Sequence, residues 1–301
     1  MPGETLDASL LDLLTSSWTA QPDKPHETPE STLRALYHAA AGNPVSVHQA
    51  SAIPLPDLDH HGRTRLKSLI EKRIAGVPLA HLTGREHFLG IELLAGPQAL
   101  IPRAETEILG RAALPLATQL ADVLSPVVVL DLCTGCGNLA LAIAAHEPRA
   151  RVFGSDLSAD AIELARKNAQ HLGLEARVEF RESDMFNAFE SAEFLGKVDL
   201  ITCNPPYISS AKVGTMHPEI SNHEPRLAFD GGALGVAILG KLIREAPRFL
   251  KPGSFLCFET GLGQGNPMTR LMGNAKEYNN IQTYPDASGH VRALTAQKIR
   301  S

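Results

Sequence analysis

The chain has 301 residues, 44% of them hydrophobic and 20% charged, with a net charge of −5 at pH 7 and a pI near 6.2. This is ordinary globular composition on a length above the usual single-domain range, so two domains are expected. A dedicated nucleic-acid binder is disfavoured because the densest basic run is only Arg63-Thr-Arg-Leu-Lys67, and no signal-like N-terminus or apolar stretch of about 18 residues points to secretion or a membrane. Four cysteines, at 133, 136, 203 and 257, fit a reducing compartment, and the expected location is cytoplasmic.

In chain order, the first 30 residues carry Pro22, Pro25 and Pro29 and no clear period. Helical spacing follows over 30–41, with Leu33, Leu36 and Tyr37 on one side, and over 64–74, with Leu66, Leu69 and Ile70. Prolines at 44, 54 and 56 separate the two, so residues 1–75 are expected to form a small helical domain that recognises a partner. Between Gly76 and Pro102 the alternation of Phe88, Ile91 and Leu93 with turn glycines predicts a hairpin linker, and residues 103–301 follow as the catalytic domain. Glu105 and Glu107 read as first-turn carboxylates of a helix. His81, His87, His217 and His223 fall on linker or loop segments, where surface or capping roles are the default.

Val127-Val-Val-Leu-Asp-Leu132 is an apolar strand that runs into Cys133-Thr134-Gly135-Cys136-Gly137, and Asn138 to His146 then has helical spacing. Glycines in a strand–turn–helix unit let the backbone approach a ligand closely, and the helix start offers free N–H groups. A dinucleotide fingerprint would need a third glycine where Ala140 stands, and no Gly-Lys-Ser/Thr makes a phosphate loop. That leaves an uncharged or cationic nucleoside. Cys133-x-x-Cys136 has no second half-site, whereas zinc takes three or four ligands, so no metal is expected.

About twenty residues on, Arg151-Val-Phe-Gly-Ser-Asp156 is a strand ending in an acid, before a helix over Ser158–His171. In a doubly wound sheet this acid faces the crevice and suits two ribose hydroxyls. It suits a helix cap equally well, and the roles are not exclusive. A third strand from Val178 ends at Asp184, with Met185 and Phe186 as an apolar bed for an adenine ring.

The apolar run Val198–Cys203 stops at Asn204-Pro205-Pro206-Tyr207. Two consecutive prolines make a rigid extended turn, since neither donates to a ladder and each constrains the residue before it. Asn204 offers an acceptor and a donor, Pro205 a carbonyl and Tyr207 a flat wall. Together they suit a planar group bearing an NH2. A proline-rich loop after a buried strand is the plainer reading of the tetrapeptide alone. Further strands are expected at Gly253–Glu259, Ile281–Tyr284 and Val291–Leu294.

Asp131-Leu-Cys-Thr-Gly-Cys-Gly137, Asp156, Ser183-Asp184-Met185-Phe186 and Asn204-Pro-Pro-Tyr207, in that order, resemble the S-adenosylmethionine-dependent methyltransferases, with the tetrapeptide of amino-group methylases. Further segments resemble the protein-(glutamine) amide-nitrogen methyltransferases that modify peptide-chain release factors. These are Pro78-Leu-Ala-His-Leu-Thr-Gly84, Phe88, Leu100-Ile-Pro-Arg-Ala-Glu-Thr-Glu107, His223-Glu-Pro-Arg-Leu-Ala-Phe-Asp-Gly-Gly232, Glu259-Thr-Gly-Leu-Gly-Gln264-Gly and Asp286-Ala-Ser-Gly-His-Val-Arg292. The likeness covers residues 30–297. A sister group acting on a ribosomal protein typically has Pro-Arg-Ser-Pro in place of Pro102-Arg-Ala-Glu105.

The resemblance implies an α/β, Rossmann-like class I methyltransferase fold with a mostly parallel seven-stranded sheet, its last pair antiparallel. It implies S-adenosylmethionine as cofactor, held by Cys133, Thr134, Gly135, Cys136, Gly137, Asp156, Asp184, Met185 and Asn204. It also implies a release factor as partner and catalysis by Asn204, Pro205 and Tyr207. The substrate contacts implied are Asn204, Pro205, Pro206, Tyr207, Arg103 and Phe88, with no direct binding of nucleic acid and no membrane.

Departures from the family pattern are Cys133 and Cys136 in a turn that usually reads Gly-Thr-Gly-Ser/Thr-Gly, and Ala104 in place of a second proline. They leave room for a paralogue acting on another amide or amine. Methylation of an exocyclic amino group of a base shares the tetrapeptide, but should carry a basic recognition domain. If the strands bearing them are neighbours, Cys133, Cys203 and Cys257 form an oxidation-sensitive cluster.

Overall fold

The computed structural model describes residues 6–21, 23–214, 218–232 and 236–300, the side chain of Lys212 excepted; Pro22 and His217 lie outside the described residues. Five helices come first: α1 Ala8–Ser16, α2 Pro29–Ala40, α3 Val47–Ala52, α4 His60–Ile74 and α5 Leu79–Thr83. α2 starts where Thr28 and Ser31 cap each other and Pro29 occupies the first turn, a position at which its missing N–H costs nothing. The helices enclose a core of their own, with Leu14, Leu33, Leu36, Leu66, Ile70 and Leu79 at its centre. The helical period predicts α2 and α4. The others are short, nine residues or fewer, and α1 and α3 start at local caps, Asp7 and Ser46.

β1 Arg85–Phe88 and β2 Ile91–Leu94 form the antiparallel hairpin. Phe88, expected at the substrate, is instead 1% exposed in the core with Leu93, Leu109 and Leu139. Its place in the hairpin alternation faces the sheet side, where burying a whole aromatic ring is most favourable.

The rest alternates as α6 Ala104–Ala121, β3 Val127–Leu132, α7 Asn138–His146, β4 Ala150–Asp156, α8 Ala159–His171, β5 Val178–Glu182 and β6 Val198–Cys203. Then come α9 Ser210–Val213, α10 Pro218–His223, α11 Ala237–Glu245, β7 Leu250–Glu259, α12 Gly265–Asn274, β8 Tyr278–Pro285 and β9 Val291–Lys298. β3 to β9 make one sheet in the order β5-β4-β3-β6-β7-β9-β8. β9 pairs antiparallel with both β7 and β8, so it alone runs against the others.

The chain winds outward from β3 to β5, then returns to place β6 on the other side of β3. Ligands bind at such a switch point, outside the carboxyl ends of the strands. Leu132 is paired with Cys203 there, so the glycine turn and the proline tetrapeptide start side by side.

Alternate residues of the strands feed two cores. Val127 and Val129 face α6, α7 and α8, while Leu130 and Leu132 face the side holding Leu242, Phe249 and Met272. This alternation corrects the expected three-cysteine cluster. Cys257 is in register with Thr202, not Cys203, so its side chain enters the first core while Cys203 enters the second. Cys133 approaches Cys203, and its sulfur lies 3.7 Å from that of Met185. Among the described residues no helix is long and apolar enough to cross a membrane.

Candidate active site

The turn after β3 requires backbone that side chains resist. Cys133, Gly135 and Gly137 have φ of 54°, 55° and 86°. A Cβ on Gly137 would stand 2.8 Å from the Phe180 ring, so both conformation and space demand glycine there. Asp131, fully buried, accepts the Thr134 hydroxyl at 2.5 Å and the Thr202 hydroxyl at 2.6 Å, which ties the turn to β6. Burial pushes Asp131 up to about 6, against the two hydroxyls that favour its charged form.

Asp156, at the end of β4, accepts the Gly135 N–H at 2.9 Å through one oxygen and the Ser158 N–H at 3.0 Å through the other. Burial raises its pKa while these bonds oppose the shift. The cap of α8 is Ser158, whose hydroxyl accepts the Ala161 N–H at 3.2 Å. Met185, with φ 50°, is held by a 3.1 Å bond from the Ser155 hydroxyl to its carbonyl, and Asp184 pairs with Lys241 at 3.1 Å.

Cys133, Thr134, Gly135, Cys136, Asp156, Asp184, Met185 and Asn204 all line one cavity at the switch point. Gly137 stands behind that wall and shapes it through its contact with Phe180. Cys136 sits in the core, and burial pushes its thiol up to about 12, so it fills space as a thiol.

A second cavity opens on the other side of the tetrapeptide, lined by Pro205 and Tyr207 with Glu105, Glu259 and Arg292. Asn204, Pro206, Arg103 and Thr106 belong to both cavities and form their common wall. The Asn204 side-chain nitrogen donates to the Thr106 hydroxyl at 3.0 Å, which ties the amide back by its NH2 and leaves its oxygen as the open acceptor. The Tyr207 hydroxyl donates to Glu259 at 2.8 Å, and burial followed by the Glu259 charge raises its pKa. Burial pushes Glu259 itself up to about 7, opposed by the Thr106 and Tyr207 hydroxyls and by Arg292.

Arg103, almost fully buried, is ion-paired with Glu224 and lies 3.5 Å from Asp23. It therefore braces the cavity wall between the N-terminal segment and the stretch after the tetrapeptide. Glu219 in α10 makes a second such brace, with Lys24 at 2.6 Å and Arg73 at 2.7 Å. Of the first-turn acids of α6, Glu105 faces the second cavity, whereas Glu107 accepts the Leu89 N–H at 3.1 Å. The sequence reading assigned no role to Thr106, Glu259 or Arg292. One clue was local: Thr106 lies in the first turn of α6, which begins directly after Arg103 at its N-cap.

A family model described as a methyltransferase domain matches residues 125–295, and the glycine turn, Asp156 and tetrapeptide all fall within it. Sheet order and site together define a methyltransferase. Relatives at 32–37% identity carry the name release factor glutamine methyltransferase, three of them as follows. That of Streptomyces coelicolor is 36% identical over 81% of this chain and 83% of its own length. That of Moorella thermoacetica is 35% identical over 78% and 80%, and that of Caulobacter vibrioides 32% over 95% and 96%. The chain belongs to the release factor glutamine methyltransferase family.

Proposed function

We propose that this protein transfers a methyl group from S-adenosylmethionine to the side-chain amide nitrogen of a glutamine in a peptide-chain release factor. The observation that carries the reading is the position of Asn204: it stands in the wall between the two cavities, with its NH2 committed to Thr106 and its carbonyl oxygen free to accept.

The first cavity fits the cofactor chemically. Left-handed backbone at Cys133 and Gly135 keeps the turn tight, Asp156 offers a buried carboxylate for hydroxyl groups, and Met185 offers an apolar, polarisable surface. When bound, S-adenosylmethionine supplies a methyl group activated by its positive sulfur. An amide nitrogen is a weak nucleophile, because its lone pair is delocalised into the carbonyl, so the protein must orient it and stabilise the charge that grows on it. The Asn204 oxygen and the Pro205 carbonyl accept its two N–H bonds, and the Tyr207 ring packs against the amide plane. No side-chain base is needed, because the methylated nitrogen is strongly acidic and sheds its surplus proton to water through these acceptors as the C–S bond breaks and the C–N bond forms. These contacts strengthen as nitrogen becomes positive, which is the condition for a rate effect.

Residues 1–75 recognise the partner, 76–102 link, and 103–301 carry the chemistry. In support, the helices have their own core and bring Lys24 and Arg73 to the segment after the tetrapeptide. Mass spectrometry of release factors incubated with the protein and methyl-labelled cofactor tests the reading. One label on a single glutamine is expected, and label elsewhere or none contradicts it.

A further inference from the structure

The loop after β7 closes on one side chain of the tetrapeptide from three directions. The Tyr207 hydroxyl donates to Glu259 Oε1 at 2.8 Å, and Arg292 Nη2 lies 3.4 Å from the same hydroxyl. Gln264 Nε2 donates to the Tyr207 carbonyl at 2.9 Å, while Gln264 Oε1 accepts the Gly261 N–H at 3.0 Å. A Cβ on Gly261 would stand 2.7 Å from Tyr207 Cδ2, so the ring lies directly on bare backbone. Strand register brings these parts together: Cys203 pairs with Phe258, which sets Glu259 level with Asn204, and on its other side Glu259 pairs with Ala293, next to Arg292.

Glu259 is 1% exposed, and among the described residues its Oε2 makes no well-aligned hydrogen bond, the Thr106 hydroxyl being its nearest help. Burying a half-satisfied carboxylate is costly, and an apolar residue would fill the same space more favourably. An acceptor at this point does what packing cannot, because a ring held only by contact can tilt, while a bonded hydroxyl fixes its far end.

We propose that Glu259 is a positioning residue for amide methylation: it accepts the Tyr207 hydroxyl and, with Gln264 on the carbonyl and Gly261 under the ring, sets the plane against which the substrate amide lies. The inference rests on the glutamine reading above and adds to it a residue that acts through Tyr207, not on the reacting atoms.

Steady-state kinetics of Glu259→Leu, Glu259→Gln, Tyr207→Phe and Glu259→Leu/Tyr207→Phe on a Gly-Gly-Gln loop peptide test it. Glu259→Leu should lower kcat about ten- to a hundredfold with little change in KM, the mark of a contact made in the transition state. Glu259→Gln, which keeps an acceptor, should rescue turnover to within about threefold of wild type, about half of the tenfold step in barrier height. Tyr207→Phe should be slowed comparably to Glu259→Leu, and the double variant should be little worse than either, because both break the shared Tyr207–Glu259 bond. Additive losses, or a Gln variant as slow as the Leu variant, would overturn the proposal, the latter by making Glu259 a proton acceptor.

Were Glu259→Leu not to fold, as judged by thermal melting and binding of the demethylated cofactor, Tyr207→Phe and Glu259→Gln decide alone; full activity in Tyr207→Phe refutes the proposal. Wild type that leaves the peptide unmethylated would refute the glutamine reading instead. The clamp is then read from ring resonances of tyrosine-labelled protein. A Tyr207 Cζ resonance, which reports the hydroxyl's hydrogen bond, that stays in place in Glu259→Gln and moves in Glu259→Leu supports it, and identical spectra overturn it.

Discussion

The Asn204 side-chain nitrogen and the Thr106 hydroxyl meet at 3.0 Å, joining the end of β6 to the first turn of α6. The bond decides which end of the Asn204 amide is committed and which is left to act on a substrate. Thr106→Val keeps the shape and removes the partner. Turnover should fall about tenfold, the worth of roughly 1.4 kcal/mol in the barrier, with cofactor affinity changed less than about twofold. Calorimetry and initial rates on one preparation check it. Lost cofactor binding with normal turnover would assign Thr106 to the first cavity instead.

Asp156 holds the glycine turn through the Gly135 N–H while standing in the cofactor cavity. Asp156→Ala should weaken binding of S-adenosylmethionine and of its demethylated product alike, by about 1–3 kcal/mol for a lost charge-assisted contact. Unchanged affinity by calorimetry would remove the carboxylate from cofactor binding.

Glu219 couples the helical segment to α10 through Lys24 and Arg73. Burial works against its charge, yet the two cations outweigh burial and hold its pKa down to about 2 from the ordinary 4.5. A folded-state pKa below the unfolded one means stability that is fully present above about pH 4.5 and is lost as pH falls toward 2. Glu219→Gln should therefore cost on the order of 3 kcal/mol at pH 7, since it leaves two buried cations to share the single carboxylate of Glu27. Melting curves should show that gap narrowing steadily below pH 4.5. A gap independent of pH would contradict the assignment.

The cofactor side of the site was legible in the sequence because each part is a local pattern. A strand running into Gly135 and Gly137, an acid closing the next strand and a double proline after a third can be read without knowing what packs where. The substrate side depends on register and on contacts between distant segments. Glu259 looks like the end of a strand until the pairing of Cys203 with Phe258 sets it beside Asn204. Thr106 looks like a helix start until α6 turns it toward the tetrapeptide. Phe88 shows the opposite failure, since an aromatic in a short alternating run reads equally well as a substrate wall or as core. The cysteines show how adjacency misleads: β6 and β7 are neighbours, yet a one-residue offset sends Cys203 and Cys257 to opposite faces of the sheet. Glu219 could not be paired in advance, because its partners lie far away in the chain, at positions 24 and 73.

The central claim is that Asn204 serves the substrate amide and leaves the cofactor alone. Asn204→Ala, assayed for calorimetric affinity toward S-adenosylmethionine and for methyl transfer to a glutamine peptide on the same preparation, tests it most directly. Affinity within about threefold of wild type is expected, with turnover lower by about a hundred- to a thousandfold, the usual cost of one preorganised polar contact at a reacting centre. Wild-type turnover in the variant, or an affinity that collapses with it, would contradict the account.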